Sequence, residues 1–260
     1  MNAWDVSNVT NMSAMFSEAS SFNQPINNWN VSNVTYIDWM FSEATNFNQP
    51  LNEWDTSSVA DIKGVFKNAT SFNQPLNNWD VSNIFFMNWV FSGATNFNQS
   101  LDNWDVSNVG YMSHMFSGAT NFNQPLNNWQ FEDIKTGGFD NFLNGSGLST
   151  ENYDLLLGSL VDIYMSNSME EILDFGGLGL TYCNMEAHDY LTNTLGWNIN
   201  DAGVSGTCNI ISGGVFFDLD DDGCTESDIP ADIFSIEIDN GIETYKRFIQ
   251  SGEYTFAATE

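Results

Sequence analysis

A repeat solenoid closed by a cap and followed by a small β-sandwich is the fold this sequence predicts, and three observations predict it. Trp4, Trp29, Trp54, Trp79, Trp104 and Trp129 stand 25 residues apart, and Phe22, Phe47, Phe72, Phe97 and Phe122 keep the same step with no insertion. The pattern stops after Trp129, where Gln130-Phe131 replaces Asp-Val and Gly137-Gly138 interrupts. From about Ile210 apolar and polar residues alternate instead, which is the period of a half-buried strand.

A fixed period of this length marks units that cannot bury an apolar face alone and so stack on their neighbours. From Leu51 the apolar residues fall at Leu51, Trp54, Val59, Ile62, Val65, Phe66, Ala69 and Phe72, with Thr56 where other coils have Val6, Val31, Val81 and Val106. The opening L-x-x-W-x-V has the strand spacing of a leucine-rich repeat. The threefold spacing that follows predicts a helical or 3₁₀ turn on the return side. Residues 1–135 are therefore expected to form a leucine-rich-repeat-like solenoid of about five coils, each with a short parallel strand and such a turn. Asn23-Gln24 and their copies are expected to form amide ladders up and down the stack.

The phrase W-D-V-S-N-V-T-N-M…M-F…F-N-Q-P-L-N-N-W resembles the repeat of BspA-like leucine-rich repeat bacterial surface proteins, with 25-residue units of the mycoplasma-lipoprotein type. The run G-L-S-T-E-N-Y-D-L-L-L…T-Y-C…Y-L-T-N-T-L-G-W-N-I-N-D-A-G is similar to the region that follows the last repeat in that family. The resemblance implies a secreted or cell-surface protein.

Residues 136–208 read as an α/β C-terminal cap, because the last coil of a solenoid needs a cover. Ser149 is placed to cap a helix near 150–164 whose apolar side carries Tyr153, Leu156, Leu157, Leu160 and Val161. Asn184 is placed to open a second helix that Gly196 closes. Cys183 and Cys208 bracket that helix and are expected to form a disulfide in an oxidising compartment. Cys224 has no evident partner, and none of the three cysteines has zinc-site spacing.

Residues 209–260 carry strand signals at 214–218, 234–238 and 254–256. G-G-V-F-F-D-L-D-D-D-G-C and S-G-E-Y-T-F resemble the SdrD B-like modules of bacterial surface proteins, with a further strand expected beyond the end of the sequence. Asp218, Asp220, Asp222 and Gly223 match the start of a calcium loop, D-x-D-x-D-G, with Glu226 and Asp228 at loop positions 9 and 11. Ile229 stands where an EF-hand has Glu, so a structural calcium site without EF-hand geometry is the expectation. A solvated acidic turn is the alternative.

Five Lys+Arg against 34 Asp+Glu give a formal charge of −29. That charge repels nucleic acid and anionic membrane and favours small cations, calcium above all. No apolar run approaches the roughly 20 residues that span a bilayer. His114 and His188 are the two histidines, and neither sits in a nucleophile or metal motif. The chain reads as non-enzymatic.

Two sets of columns are candidate sites. Asp55, Asp80 and Asp105 project outward from successive strands at about 4.8 Å spacing. They read either as an acidic ridge for a cation or partner, or as side chains satisfying donors of their own turns. Where the repeats disagree, one column reads Asn11, Tyr36, Asp61, Phe86, Tyr111, and another, three positions on, reads Ala14, Trp39, Gly64, Trp89, His114. On a helical turn such pairs share a face, so Tyr36 with Trp39 and Phe86 with Trp89 would form ridges about 10 Å apart, with a trough at Gly64. Lys63 and Lys67 belong to the middle coil, and Phe85, Tyr111 and His114 extend one wall.

The function expected from these columns is recognition of a host or neighbouring-cell glycan or protein by an adhesin-like surface protein. The alternative is a passive stalk whose rings pack on one another or on a neighbouring chain. An ice-binding solenoid is a third class, suggested by the column Ser20, Thr45, Thr70, Thr95, Thr120. The apolar face of the first coil also predicts an upstream segment or end-to-end self-association.

Overall fold

Each 25-residue coil is a succession of tight turns joined by extended links. In the third coil Val65 N–H donates to Ile62 O, Lys67 to Gly64, Ala69 to Phe66 and Phe72 to Ala69, all at 3.0 Å. Every bond closes over three residues, so the apolar side chains return inward at threefold spacing without a helix forming. That is where the expected helical or 3₁₀ segment fails: the M-x-x-M-F-x-x-A-x-x-F spacing comes from linked β-turns. The L-x-x-W-x-V segment opens on a turn as well, Trp54 N–H bonding Leu51 O at 3.1 Å, and forms no strand ladder. Parallel bridges lie instead at Asn11 with Tyr36, Tyr36 with Asp61, and Phe86 with Tyr111.

The computed structural model describes residues 4–167 and 173–214, together with the strand segments 216–217, 229–230, 234–239, 244–249 and 253–258. The chain divides into two compact units, 1–205 and 206–260.

In the first unit successive repeats are joined by backbone bonds from alternate residues. Ile37, Trp39, Phe41 and Glu43 donate to the carbonyls of Asp61, Lys63, Val65 and Lys67, each 24 residues on, at 2.7–3.1 Å. Inside, the rings form columns. Phe41 stacks on Phe47 within a coil at 4.1 Å, and Phe47 on Phe72 between coils at 5.9 Å. Trp54 lies parallel to Trp79, and Trp104 to Trp129, with interplanar angles of 2° and 4°. Burying an indole requires a partner for its N–H, and the preceding coil supplies one: Trp79 Nε1 donates to Leu51 O and Trp104 Nε1 to Leu76 O, both at 3.0 Å. Thr56 is tolerated among the core valines because its hydroxyl donates to Asp80 O at 3.1 Å.

The repeated Asn-Gln pair is an amide ladder. Asn73 Oδ1 accepts from Asn98 N at 3.0 Å and from Gln99 Nε2 at 2.9 Å, and the same pattern links Asn23 to the second coil, Asn48 to the third and Asn98 to the fifth. Thr45, Thr70 and Thr95 add a second series, each hydroxyl donating to the carbonyl one coil back.

The stacking outlasts the repeat in the sequence. Met112, His114, Phe116 and Gly118 donate to Gly138, Asp140, Phe142 and Asn144, so residues 138–144 continue the stack beyond position 135. The cap then takes over the ladder: at the start of helix α1 (Thr150–Asn167), Ser149 N and Asn152 Nδ2 both donate to Asn123 Oδ1. They stand where the Asn N–H and Gln amide of another repeat would be. Strands β1 (Asp174–Gly176) and β2 (Asn198–Asn200) pair in parallel. Helix α2 (Met185–Asp189) is capped by the Asn184 side chain and runs into a π-helical turn, Tyr190–Thr194. Below it, Asp201 Oδ2 accepts from the Tyr153 hydroxyl at 3.0 Å and stands 3.4 Å from His188 Nε2, and the Tyr182 ring stacks on His188 at 4.0 Å. Cys183 and Cys208 are both disulfide-bonded.

In the second unit β3 (Asn209–Gly214) pairs antiparallel with β8 (Glu253–Ala258), β4 (Phe216–Phe217) with β5 (Ile229–Pro230), and β6 (Phe234–Asp239) with β7 (Thr244–Ile249). The expected calcium ligands Asp218, Asp220, Asp222, Glu226 and Asp228 lie outside the described residues. Among the described residues no helix is long and apolar enough to cross a membrane.

Candidate functional site

The variable columns meet at a backbone feature invisible in the residue pattern. Ala14, Trp39, Gly64, Trp89 and His114 all have φ between +53° and +60°. The column is the third position of a turn in each of four coils: Met15 N–H bonds Met12 O, Met40 bonds Ile37, Val65 bonds Ile62 and Met115 bonds Met112. Positive φ at that position is the mark of a type II turn and is natural to Gly or Asn. A side chain there costs on the order of 1–2 kcal/mol. Two tryptophans and a histidine are held in that conformation on the surface, and the rest of the stack over-determines it. A second such column, Glu18, Glu43, Asn68, Gly93 and Gly118, has φ of +54° to +73°.

The trough expected at Gly64 is filled. The indole of Trp39 lies over Gly64, occupying the space of a Cβ at that position, and reaches Trp89 two coils away with ring centroids 5.9 Å apart. Trp89 stacks on His114 at 5.6 Å and 19°, and Asn141 Nδ2 stands 3.2 Å from His114 Nε2. Phe85 repeats the device one column over, its ring lying above Gly110. It meets Phe86 and Tyr111 edge to face, while Phe86 and Tyr111 stack at 5.5 Å.

The result is a connected inner row of rings over four coils beside a separate Phe85–Phe86–Tyr111 cluster, in place of two ridges. The inner row is Trp39, Trp89 and His114, all half-buried; the outer row contains Phe86 and Tyr111, with Tyr36 two coils away from Phe86 across Asp61. Tyr36 is 46% exposed, Phe86 47% and Phe85 38%, whereas Trp29, Trp54, Trp79, Trp104 and Trp129 are buried. The Lys63 ammonium stands 5.2 Å from the Trp89 ring centroid and 5.9 Å from that of Trp39, and Lys67 is 5.5 Å from Trp39. Asp61 and Asp38 border the lysines. Asp61 accepts the Lys63 backbone N–H at 2.8 Å, and Asp38 accepts from the Ser13 hydroxyl. Burial pushes the Asp61 carboxyl up, against the Lys63 N–H.

The acidic column has a different character. Asp55, Asp80 and Asp105 each accept from the hydroxyl and backbone N–H of the serine two residues on, with hydroxyl distances of 2.6–2.7 Å. Asn30 does the same with Ser32. The serine hydroxyls and N–H groups hold Asp55 and Asp105 below the usual carboxylate range. These carboxylates build turns, and an amide serves equally. Among the described residues no group of three or more His, Cys, Asp or Glu could hold a metal ion.

Gly110 beneath Phe85 and Asn141 beside His114 belong to the site and escape a reading of the sequence columns. The aromatic-then-glycine order one coil apart, Trp39 with Gly64 and Phe85 with Gly110, is the signal that could have found the first. Asn141 lies beyond the last recognisable repeat and carries no signal.

Two overlapping stretches, residues 1–85 and 50–146, match one family model, described as "Mycoplasma protein of unknown function, DUF285". No curated protein and no solved structure matches the chain.

Proposed function

This chain belongs to the DUF285 family, and we propose that it is a non-enzymatic recognition protein, displayed on the surface or secreted, that binds carbohydrate through the Trp39–Trp89–His114 platform. The stack of coils is, in this reading, a leucine-rich-repeat-like solenoid that serves as a rigid frame. Calcium on Asp218, Asp220 and Asp222 would stabilise the following module.

One observation carries the proposal: Trp39 and Trp89 occupy left-handed turn positions, φ +58° and +60°, where glycine is the unstrained choice. Each retains a bulky, half-exposed ring at a local energetic cost. Rigid aromatic faces lose little entropy on binding and suit the apolar face of a sugar ring.

A glycan array probed with the chain and with a Trp39→Ala/Trp89→Ala variant of unchanged melting temperature tests this. Binding that disappears in the variant supports the reading, and no binding by either chain refutes it. A passive spacer is the second reading, favoured by the amide and threonine ladders, which give most invariant polar residues a structural role.

A further inference from the structure

Of the five basic residues in the chain, Lys63, Lys67 and Lys135 lie in the first unit. Lys135 pairs with Asp133 at 3.6 Å. Among the described residues neither Lys63 nor Lys67 has a carboxylate within 4 Å, although the chain carries 34 acids. Both ammonium groups are held instead by indole faces. Asp38 accepts from the Ser13 hydroxyl and Asp61 from the Lys63 backbone N–H, and the Asp61 carboxylate feels the Lys63 charge only from beyond ion-pair distance.

A lysine resting on an indole keeps its N–H donors free for a further acceptor, because the ring contact is electrostatic and uses no lone pair. Lys63 bridges Trp39 and Trp89, the centre of the platform, and Lys67 flanks Trp39. Two cations with no carboxylate within 4 Å thus sit against half-buried indole rings in an otherwise acidic protein. Charge complementarity selects a ligand that joins an apolar ring face to a single negative group. A polyanion does not fit, since the overall charge of −29 repels it over the length of the chain.

We propose that the platform is specific for carboxylate-bearing saccharides, with the sugar face on the Trp39–Trp89 surface and the carboxylate on the Lys63 and Lys67 ammonium groups. The inference rests on the carbohydrate reading above and adds the charge of the ligand to it.

Isothermal titration of the full chain with matched pairs tests it: 3′-sialyllactose against lactose, and methyl β-glucuronide against methyl β-glucoside. The expected result is at least tenfold tighter binding of the acidic member of a pair, a preference that falls with added salt and disappears in Lys63→Met/Lys67→Met. A Lys63→Gln/Lys67→Gln pair guards against a folding defect in the first variant. Equal binding of acidic and neutral members, lost in Trp39→Ala/Trp89→Ala, overturns the charge specificity and leaves the carbohydrate reading standing. Binding of neither member of either pair, with unchanged folding, overturns the acidic-sugar inference and counts against the carbohydrate reading as well.

Discussion

The indole of Trp39 lies over Gly64 in the next coil, and that contact lets it meet Trp89 across a distance of two coils. The glycine is needed twice: its φ is +60°, and a Cβ would overlap the ring. Gly64→Ala is therefore expected to destabilise the first unit by about 1–2 kcal/mol through the left-handed turn, and to displace Trp39. Thermal unfolding and tryptophan fluorescence check both, and an unchanged emission spectrum would sink the ring contact.

Ala14 holds the same turn in the first coil at φ +53°, exposed to solvent. Ala14→Gly removes the conformational strain while losing almost no packing, so a net stabilisation of about 0.5–1 kcal/mol is expected despite glycine's entropy in the unfolded chain. Chemical denaturation measures it; a loss of stability there would contradict the strain argument for the whole column.

Asn73 supplies one acceptor to two donors of the next coil. Asn73→Ala strands the Asn98 N–H and the Gln99 amide and is expected to cost about 1–3 kcal/mol. Asn73→Asp keeps the acceptor and should recover most of that. If both variants unfold alike, the ladder is not the reason the Asn-Gln phrase recurs.

Asp80 accepts from Ser82 by one oxygen, as Asn30 does from Ser32. Asp80→Asn is expected to leave stability within about 0.5 kcal/mol, and Asp80→Ala to lose about 1 kcal/mol. A calcium-dependent melting temperature lost in Asp80→Asn would restore the acidic ridge as a cation site.

Acid should weaken the cap through Asp201. Burial works to raise its pKa, but His188, the Gly203 N–H and the Tyr153 hydroxyl outweigh burial and leave it below the ordinary carboxylate value. A depressed folded pKa means stability that is present above the unfolded value, near 3.9, and lost as pH falls through the folded one. Asp154 opposes this: burial pushes it up in spite of the Asn184 and Cys183 N–H groups. The Asp201 contribution is isolated by comparing acid unfolding of the native chain with Asp201→Asn, in which that part of the pH dependence should vanish.

The sequence by itself determined which residues face inward. Trp54, Val59, Ile62, Val65, Phe66, Ala69 and Phe72 are all buried to within 3%, because a 25-residue period admits only one registration in which every apolar residue is covered. It also determined the cap helix, since Ser149 and the apolar spacing behind it are local signals, and the amide ladder, since identical residues one coil apart must meet. The tertiary structure decided the rest. Threefold apolar spacing is common to a helix and to linked turns; the between-coil bonds from alternate residues, such as Trp39 to Lys63 and Phe41 to Val65, select turns. The trough at Gly64 closed because a ring follows the space left by the neighbouring coil, which depends on where Trp39 can turn and not on its place in the column. Asp55, Asp80 and Asp105 are held by their own serines and the two lysines lie on indole faces, and only the folded arrangement shows which partner each charge has taken.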